Sequence, residues 1–417
     1  MISVEDAFQR LAEQVTALPG QRTDLSDAVG RVLVENVASD VDSPPHRKSV
    51  MDGFAVRSDD LLQGALSPEN VDNGNRRLKV IETIVAGAWP QFALAAGEAA
   101  RIMTGAPLPE TADAVVMIED TRQEKVDGQD WVIVETESVP PGKHLMEQAS
   151  NFSKGDIVLQ AGHRIRPADI GLLAEVGASS FFTGSRPTVA VLPTGDELVG
   201  FEQQPGVGQI RNSNGPMLVA MAKQMGLPVT DLGIGRDMQS DLASKIQAGL
   251  MQDVLILSGG VSAGLMDLVP RMLSDAGVEE IFHQVAIKPG KPIWFGVQRG
   301  AHRCVVFGLP GNPVSSLVGF HLFVRTAIRQ MESDPNPLPP RLAAVLASPH
   351  ETRGDRPTYW PGRWVINDSI VRSVEPLIWR GSSDLLALGL ADGLIHFPRE
   401  TNLHQAGAEV QFFPFLR

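Results

Sequence analysis

The chain has 417 residues, 43% apolar and 20% charged, the ordinary balance of a globular protein. Its 36 basic residues against 49 acidic ones give a net charge of −13 without any Lys/Arg block, which argues against a nucleic-acid binder. The single cysteine, Cys304, excludes an internal disulfide and fits a reducing cytoplasm, the nine histidines hold no His-x-x-x-His pair, and no apolar stretch is long enough to span a membrane.

The length suggests roughly three domains. The opening MISVEDAFQRLAEQV is acidic and amphipathic, unlike a signal peptide. Val4, Phe8, Leu11 and Val15 fall on one stripe, which predicts a helix over 3–18. A second, shorter helix is expected over 24–34. From 44 to 140, short β-type runs alternate with Gly, Pro and Asn turns, which predicts a small β-rich domain. Residues 141–183 are mixed, with a helix at 168–176 begun by Pro167. With residues 1–43 they are expected to form one discontinuous N-terminal domain.

Residues 184–332 read as an α/β domain. Strands are expected at 187–193, 228–234, 253–258, 281–287, 292–297 and 303–308. Helices are expected at 215–225, 240–250, 265–276 and 313–331. This alternation predicts a parallel sheet with right-handed crossovers. SDPNPLPP (333–340) carries four prolines and reads as a linker, and 333–417 as a small C-terminal β domain. The fold class is therefore multidomain α/β: a central parallel-sheet domain, a small β-rich domain, an N-terminal mixed domain and a C-terminal β-barrel-like domain.

Five loops follow apolar runs in the α/β domain: PTGDEL (193–198), GIGRD (233–237), LSGGVSAG (257–264), IKPGKP (287–292) and GLPGNPVS (308–315). Open α/β sheets bind ligands beyond the strand carboxyl ends, so these loops are expected on one edge. The N–H groups of Ser258, Gly259, Gly260 and Val261 precede a helix and are placed to cradle a phosphate. Lys288 and Lys291 sit three apart in a loop stiffened by Pro289 and Pro292, a rigid frame for an oxyanion. Asn312 is expected to cap the following helix. Asp196, Glu197, Asp237 and Asp267 on the same edge suggest Mg²⁺, which takes one or two carboxylates with substrate oxygens and water. GVSAG (260–264) also matches Gly-x-Ser-x-Gly, with Ser262, Asp275 and His283 in hydrolase order. That reading leaves the other four loops unexplained. Neither a Walker A sequence nor Gly-x-Gly-x-x-Gly occurs.

SVMDGFAV (49–56), RIMTGAPLPETADAVVMIED (101–120), PTGDEL, SGGVSAG, IKPGKP and GLPGNPVS together resemble the molybdopterin molybdenumtransferases, the MoeA and gephyrin E-domain family. The resemblance covers nearly the whole chain and implies a fold whose α/β domain is of the molybdopterin-binding type. It implies the last step of molybdenum cofactor synthesis: molybdate is inserted into adenylylated molybdopterin, with Mg²⁺-dependent phosphoanhydride cleavage and release of AMP. It also implies a cytoplasmic homodimer with a shared active cleft, served by an upstream adenylyltransferase and molybdoenzyme chaperones. On the family pattern, Asp52, Glu197, Asp237, Asp267, Lys288 and Lys291 are catalytic, with Asp237 and Asp267 at the metal. Thr104, Thr194, Ser258, Gly259, Gly260, Ser262, Pro310, Gly311, Asn312 and Pro313 contact the substrate. Lys288, Lys291, Ser315, Arg356 and Ser382 hold molybdate, and Asp52 and Thr104 reach the cleft from the other subunit. This chain departs from the pattern at Asn151, where the family carries an Asp, at His46-Arg47-Lys48, and at Leu265-Met266. The alternative implied by these departures is a non-catalytic or reduced-activity paralogue that binds molybdopterin.

Overall fold

In the computed structural model, which describes residues 1–136, 139–261, 268–300, 302–365 and 372–415, six apolar runs of the α/β region form one sheet. They are β1 (Val189–Pro193), β2 (Val229–Asp231), β3 (Val254–Ser258), β4 (Val278–His283), β5 (Trp294–Gln298) and β6 (Cys304–Leu309). Their spatial order is β2-β1-β3-β6-β5-β4. Strands β2, β1, β3 and β6 are mutually parallel. The sheet is mixed rather than wholly parallel, because β5 runs antiparallel to both β6 and β4. Two reversals restore β4 to the direction of β6, so all five loops leave from the same edge, IKPGKP included.

Alternation along the strands explains the burial of both faces. Val189, Val191, Val254, Ile256, Phe295, Val305 and Phe307 belong to one core, with Leu11 of the N-terminal helix Val4–Gln14. Ala190, Leu192, Leu255, Leu257, Trp294, Cys304 and Val306 belong to another. Cys304 is fully buried, and burial pushes its thiol up to about 12. Helices α1 (Asn214–Gln224), α2 (Gln239–Gly249), α3 (Leu268–Asp275) and α4 (Pro313–Gly319) flank the strands. Beyond α4 the chain passes through a π-helical turn, Phe320–Val324, into the helix Arg325–Met331.

The chain divides into two compact units. The one just described holds Met1–Glu35, Ala161–Ile170 and Ser180–Arg417. In it the stretch predicted as a helix over 24–34 is only a 3-10 turn, Leu25–Asp27. Gly30 adopts φ +80°, outside the helical region, and Leu33 instead bridges to Thr183. The same unit ends in a closed five-stranded barrel of Leu342–Leu346, Ser373–Pro376, Thr358–Val365, Gly393–Phe397 and Glu409–Pro414. A closed barrel leaves no strand edge exposed.

The other unit holds Asn36–Gln160 and Gly171–Ser179. Its centre is a seven-stranded sheet whose long strand Asn75–Ile84 pairs with Glu98–Ile102 and Gln129–Val134. Among the described residues, no helix is long and apolar enough to cross a membrane.

Candidate active site

Strand register places the loops at one level. Pro193, Ser258 and Leu309 are aligned across β1, β3 and β6. The first residues beyond them remain bonded: Thr194 N–H donates to Ser258 O at 2.8 Å, and Gly259 N–H donates to Leu309 O at 3.0 Å. The Gly259 N–H therefore holds loops together and is not available to cradle a phosphate. Gly260 and Val261 N–H find no acceptor among the described residues. The glycines are required by packing as well as by conformation. Gly259 has φ +99°, and a Cβ there would lie 2.5 Å from Thr194 O. Gly260 has φ +64°, and its Cβ would lie 2.7 Å from Val269.

The loops enclose a cleft of about 700 Å³. Its wall brings together Thr194, Glu197, Asp237, Ser258, Gly259, Gly260, Pro310, Gly311, Asn312 and Pro313. Asp196 stands beside Asp237, whose backbone N–H donates to its carboxylate at 3.1 Å. Ser262 and Asp267 lie outside the described residues. The hydrolase arrangement gains nothing here: His283 Nε2 contacts Val261 O at 3.1 Å, and Asp275 faces Arg271 at 3.9 Å.

Two residues that sequence reasoning missed organise this wall. Asn214, buried at the start of α1, donates through Nδ2 to Gly311 O at 2.7 Å and Ser258 Oγ at 2.8 Å. It thus ties two of the loops together. Arg236 donates through Nη1 to Leu198 O at 2.9 Å and Asp196 O at 3.2 Å, fixing the acidic loop against GIGRD. Neither carried a distinctive signal, since Asn214 reads as a helix start and Arg236 as a loop charge.

A second pocket of about 430 Å³ shares Pro292, Pro310 and Asn312 with the cleft. It gathers Lys288, Lys291, Ser315, Arg356 and Ser382 from the α/β domain and the barrel. Lys288 is anchored, its Nζ donating to Arg353 O at 2.6 Å and its N–H to Pro357 O at 2.9 Å. Arg356 Nη1 donates to Ile287 O at 2.9 Å, which locks the guanidinium to the same loop. Arg380 joins the wall, giving four cations and no carboxylate among its described lining residues. Asn312 occupies the cap position of α4, but its side chain makes no cap bond. It donates to Ser382 Oγ at 2.8 Å instead, and Ser382 O accepts the Val314 N–H at 3.0 Å. The expected capping role passes to the barrel loop, whose Ser382 carbonyl takes the Val314 N–H that a capping side chain would otherwise accept.

In the other unit, Asp52 precedes strand Gly53–Val56 and Thr104 follows the antiparallel strand Glu98–Ile102. The Thr104 N–H and hydroxyl donate to Asp52 Oδ1 at 2.7 and 2.8 Å. These bonds, the backbone one foremost, hold the Asp52 carboxyl below the usual carboxylate range. Asn151 Nδ2 donates to Ser43 Oγ at 3.1 Å, and Ser43 Oγ donates to Glu175 at 2.5 Å. The amide at 151 thus supplies a donor to a neighbour of Glu175 that a carboxylate could not.

Residues 2–177 match the model of the MoeA N-terminal region (domain I and II), and 343–415 that of the MoeA C-terminal region (domain IV). Residues 190–330 match the model described as "Probable molybdopterin binding domain". A molybdopterin molybdenumtransferase of Staphylococcus aureus is 36% identical over 334 residues, 79% of this chain and 76% of that protein. The chain belongs to the molybdopterin molybdenumtransferase (MoeA) family. A Staphylococcus epidermidis MoeA relative of the same name is 34% identical over 331 residues, again 79% of this chain and 76% of its own. Two crystal structures of the molybdopterin biosynthesis MoeA protein from Pyrococcus horikoshii align over 100% of both chains. They give TM-scores of 0.79 and 0.81 at 29% and 25% identity. The match to the probable molybdopterin binding domain falls on the sheet and loops that build the cleft.

Proposed function

We propose that this chain inserts molybdate into adenylylated molybdopterin, breaking the phosphoanhydride and releasing AMP. The observation that carries this reading is the juxtaposition of two sites. A cation-lined, acid-free pocket opens beside a glycine-walled cleft that bears Glu197 and Asp237. The first suits a tetrahedral dianion, and the second suits a phosphorylated ligand.

Phosphoryl transfer asks mainly for positioning and charge stabilisation. Gly260 and Val261 N–H groups receive phosphate oxygens at the cleft wall. Lys288 and Lys291 hold molybdate and offset charge where the two sites meet. The anchoring of Lys288 and Arg356 limits the ordering needed when the oxyanion arrives. The donor set also fits Mg²⁺, since Glu197 and Asp237 meet its demand for one or two carboxylates beside substrate oxygens. Asp267 is assigned to the same task. Bound there, Mg²⁺ would neutralise phosphoryl charge.

The functional form is a cytoplasmic homodimer, in which Asp52 and Thr104 of the partner subunit serve the cleft. An upstream adenylyltransferase supplies the substrate, and molybdoenzyme chaperones receive the product. Calorimetric titration with molybdate tests the oxyanion pocket. Lys291 is exposed, so Lys291→Ala should weaken molybdate binding at least tenfold while leaving thermal unfolding unchanged. Equal affinity in the two proteins would contradict the assignment.

A further inference from the structure

An arginine stands among the acids of the cleft and pairs with none of them. Arg236 directly precedes Asp237, whose N–H meets the Asp196 carboxylate. Its guanidinium nevertheless forms no salt bridge among the described residues and goes to backbone carbonyls instead. Nη1 donates to Leu198 O at 2.9 Å, to Asp196 O at 3.2 Å and, more distantly, to Gly195 O at 3.5 Å. These carbonyls flank Glu197 on both sides. The Glu197 carboxylate itself folds over Gly195, where a Cβ would collide with it. One guanidinium therefore grips the backbone around one acid of the cleft wall, while its own chain neighbour is the other.

The arginine is braced in turn by helix α2. Its N–H donates to Asp241 Oδ2 at 2.8 Å, and Lys245 Nζ reaches the same oxygen at 2.9 Å and Ile234 O at 2.6 Å. That N–H is the foremost of the bonds that hold the Asp241 carboxyl below the usual carboxylate range. An arginine beside carboxylates ordinarily pairs with them. Here its bonding to carbonyls leaves the exposed Glu197 and Asp237 side chains open to a different cation. We infer that Arg236 is a positioning residue for the divalent cation, fixing the spacing of Glu197 and Asp237. The inference rests on the reading of those two acids as Mg²⁺ ligands. Its sign is distinctive, because a fixed cation near a metal ion repels it. If charge alone mattered, removing Arg236 would tighten metal binding; if spacing matters more, removal weakens it.

The test uses the intact protein with AMP, and Mn²⁺ as the paramagnetic stand-in for Mg²⁺. Electron paramagnetic resonance titration should show Mn²⁺ binding at least fivefold weaker in Arg236→Gln. Arg236→Lys keeps the charge without the planar fork and should fall between Arg236→Gln and the wild type. AMP affinity without metal, and molybdate affinity, should change less than twofold in both variants, because the glycine wall and the lysine pocket keep their own bonds. Equal or tighter Mn²⁺ binding in Arg236→Gln, or a parallel loss of AMP affinity, overturns the inference and leaves the metal reading standing. A wild-type protein that binds no Mn²⁺ in the presence of AMP overturns both. Should Arg236→Gln fail to fold, Arg236→Lys decides, and wild-type Mn²⁺ affinity in that variant overturns the inference.

Discussion

A single methyl group at position 259 would meet Thr194 O at 2.5 Å on a backbone already at φ +99°. Gly259→Ala is therefore expected to destabilise the protein by about 2 kcal/mol or more and to displace the loop at the cleft wall. Urea unfolding measures the first effect, and an unchanged midpoint would show that the loop can relax. The comparison with Lys291 is instructive, because both residues sit on the same edge but do different things. Lys291 is exposed and is proposed to act through its charge, while Gly259 acts through the space it leaves. At this scale the sequence was readable wherever residue type alone implies the chemistry. Glycines, paired lysines and acids in short loops point to an anion site before any fold is known. Asn214 and Arg236 were not readable in this way. Their importance depends on which atoms burial leaves bonded or unbonded, and asparagine at a helix start has a commonplace alternative role.

Strands β1, β3 and β6 are short apolar runs closed by Gly or Pro, and such runs announce themselves in a sequence. The direction of each strand does not. Nothing in WFGVQ distinguishes an antiparallel strand from its parallel neighbours, so the reversal at β5 became visible only through its pairing. The long helix predicted over 313–331 is present but interrupted by the π-helical turn Phe320–Val324, which periodicity over so few residues cannot reveal. That turn buries His321 against Phe415, with ring centroids 5.4 Å apart. Burial first, and then Arg325 and Arg329, lower its pKa from 6.5 to about 3. The folded state thus keeps His321 neutral where the unfolded chain binds a proton. Stability contributed by this group is intact above about pH 6.5 and falls as pH drops toward 3, by roughly 1.4 kcal/mol per unit. His350, His396 and His404 are shifted the same way, chiefly by burial, and add to the trend. His321→Gln should flatten the acid limb of the stability profile between about pH 6 and 4, as read by urea melts. An unaltered slope would mean that the ring is hydrated in the folded state.

For the molecule as a whole, the connection of two pockets within one unit is the feature from which the proposed chemistry follows. The loops of the sheet edge make the first, and the barrel brings Arg356 and Ser382 beside Lys288 and Lys291 to make the second. Long ordered motifs made the family legible from sequence, because their spacing carries more information than any of them alone. The meeting of barrel and sheet edge was legible only through that resemblance, since no local pattern predicts which distant loops become neighbours. Asn151 bears on the same question, for its amide is built into a bonded chain with Ser43 and Glu175 rather than left as a lone substitution. The most direct measurement is AMP release by the purified protein from adenylylated molybdopterin in the presence of Mg²⁺, with and without molybdate. Release should require molybdate and be lost in Lys291→Ala, as the proposed insertion reaction demands. Tight binding of the substrate with no molybdate-dependent release would contradict it.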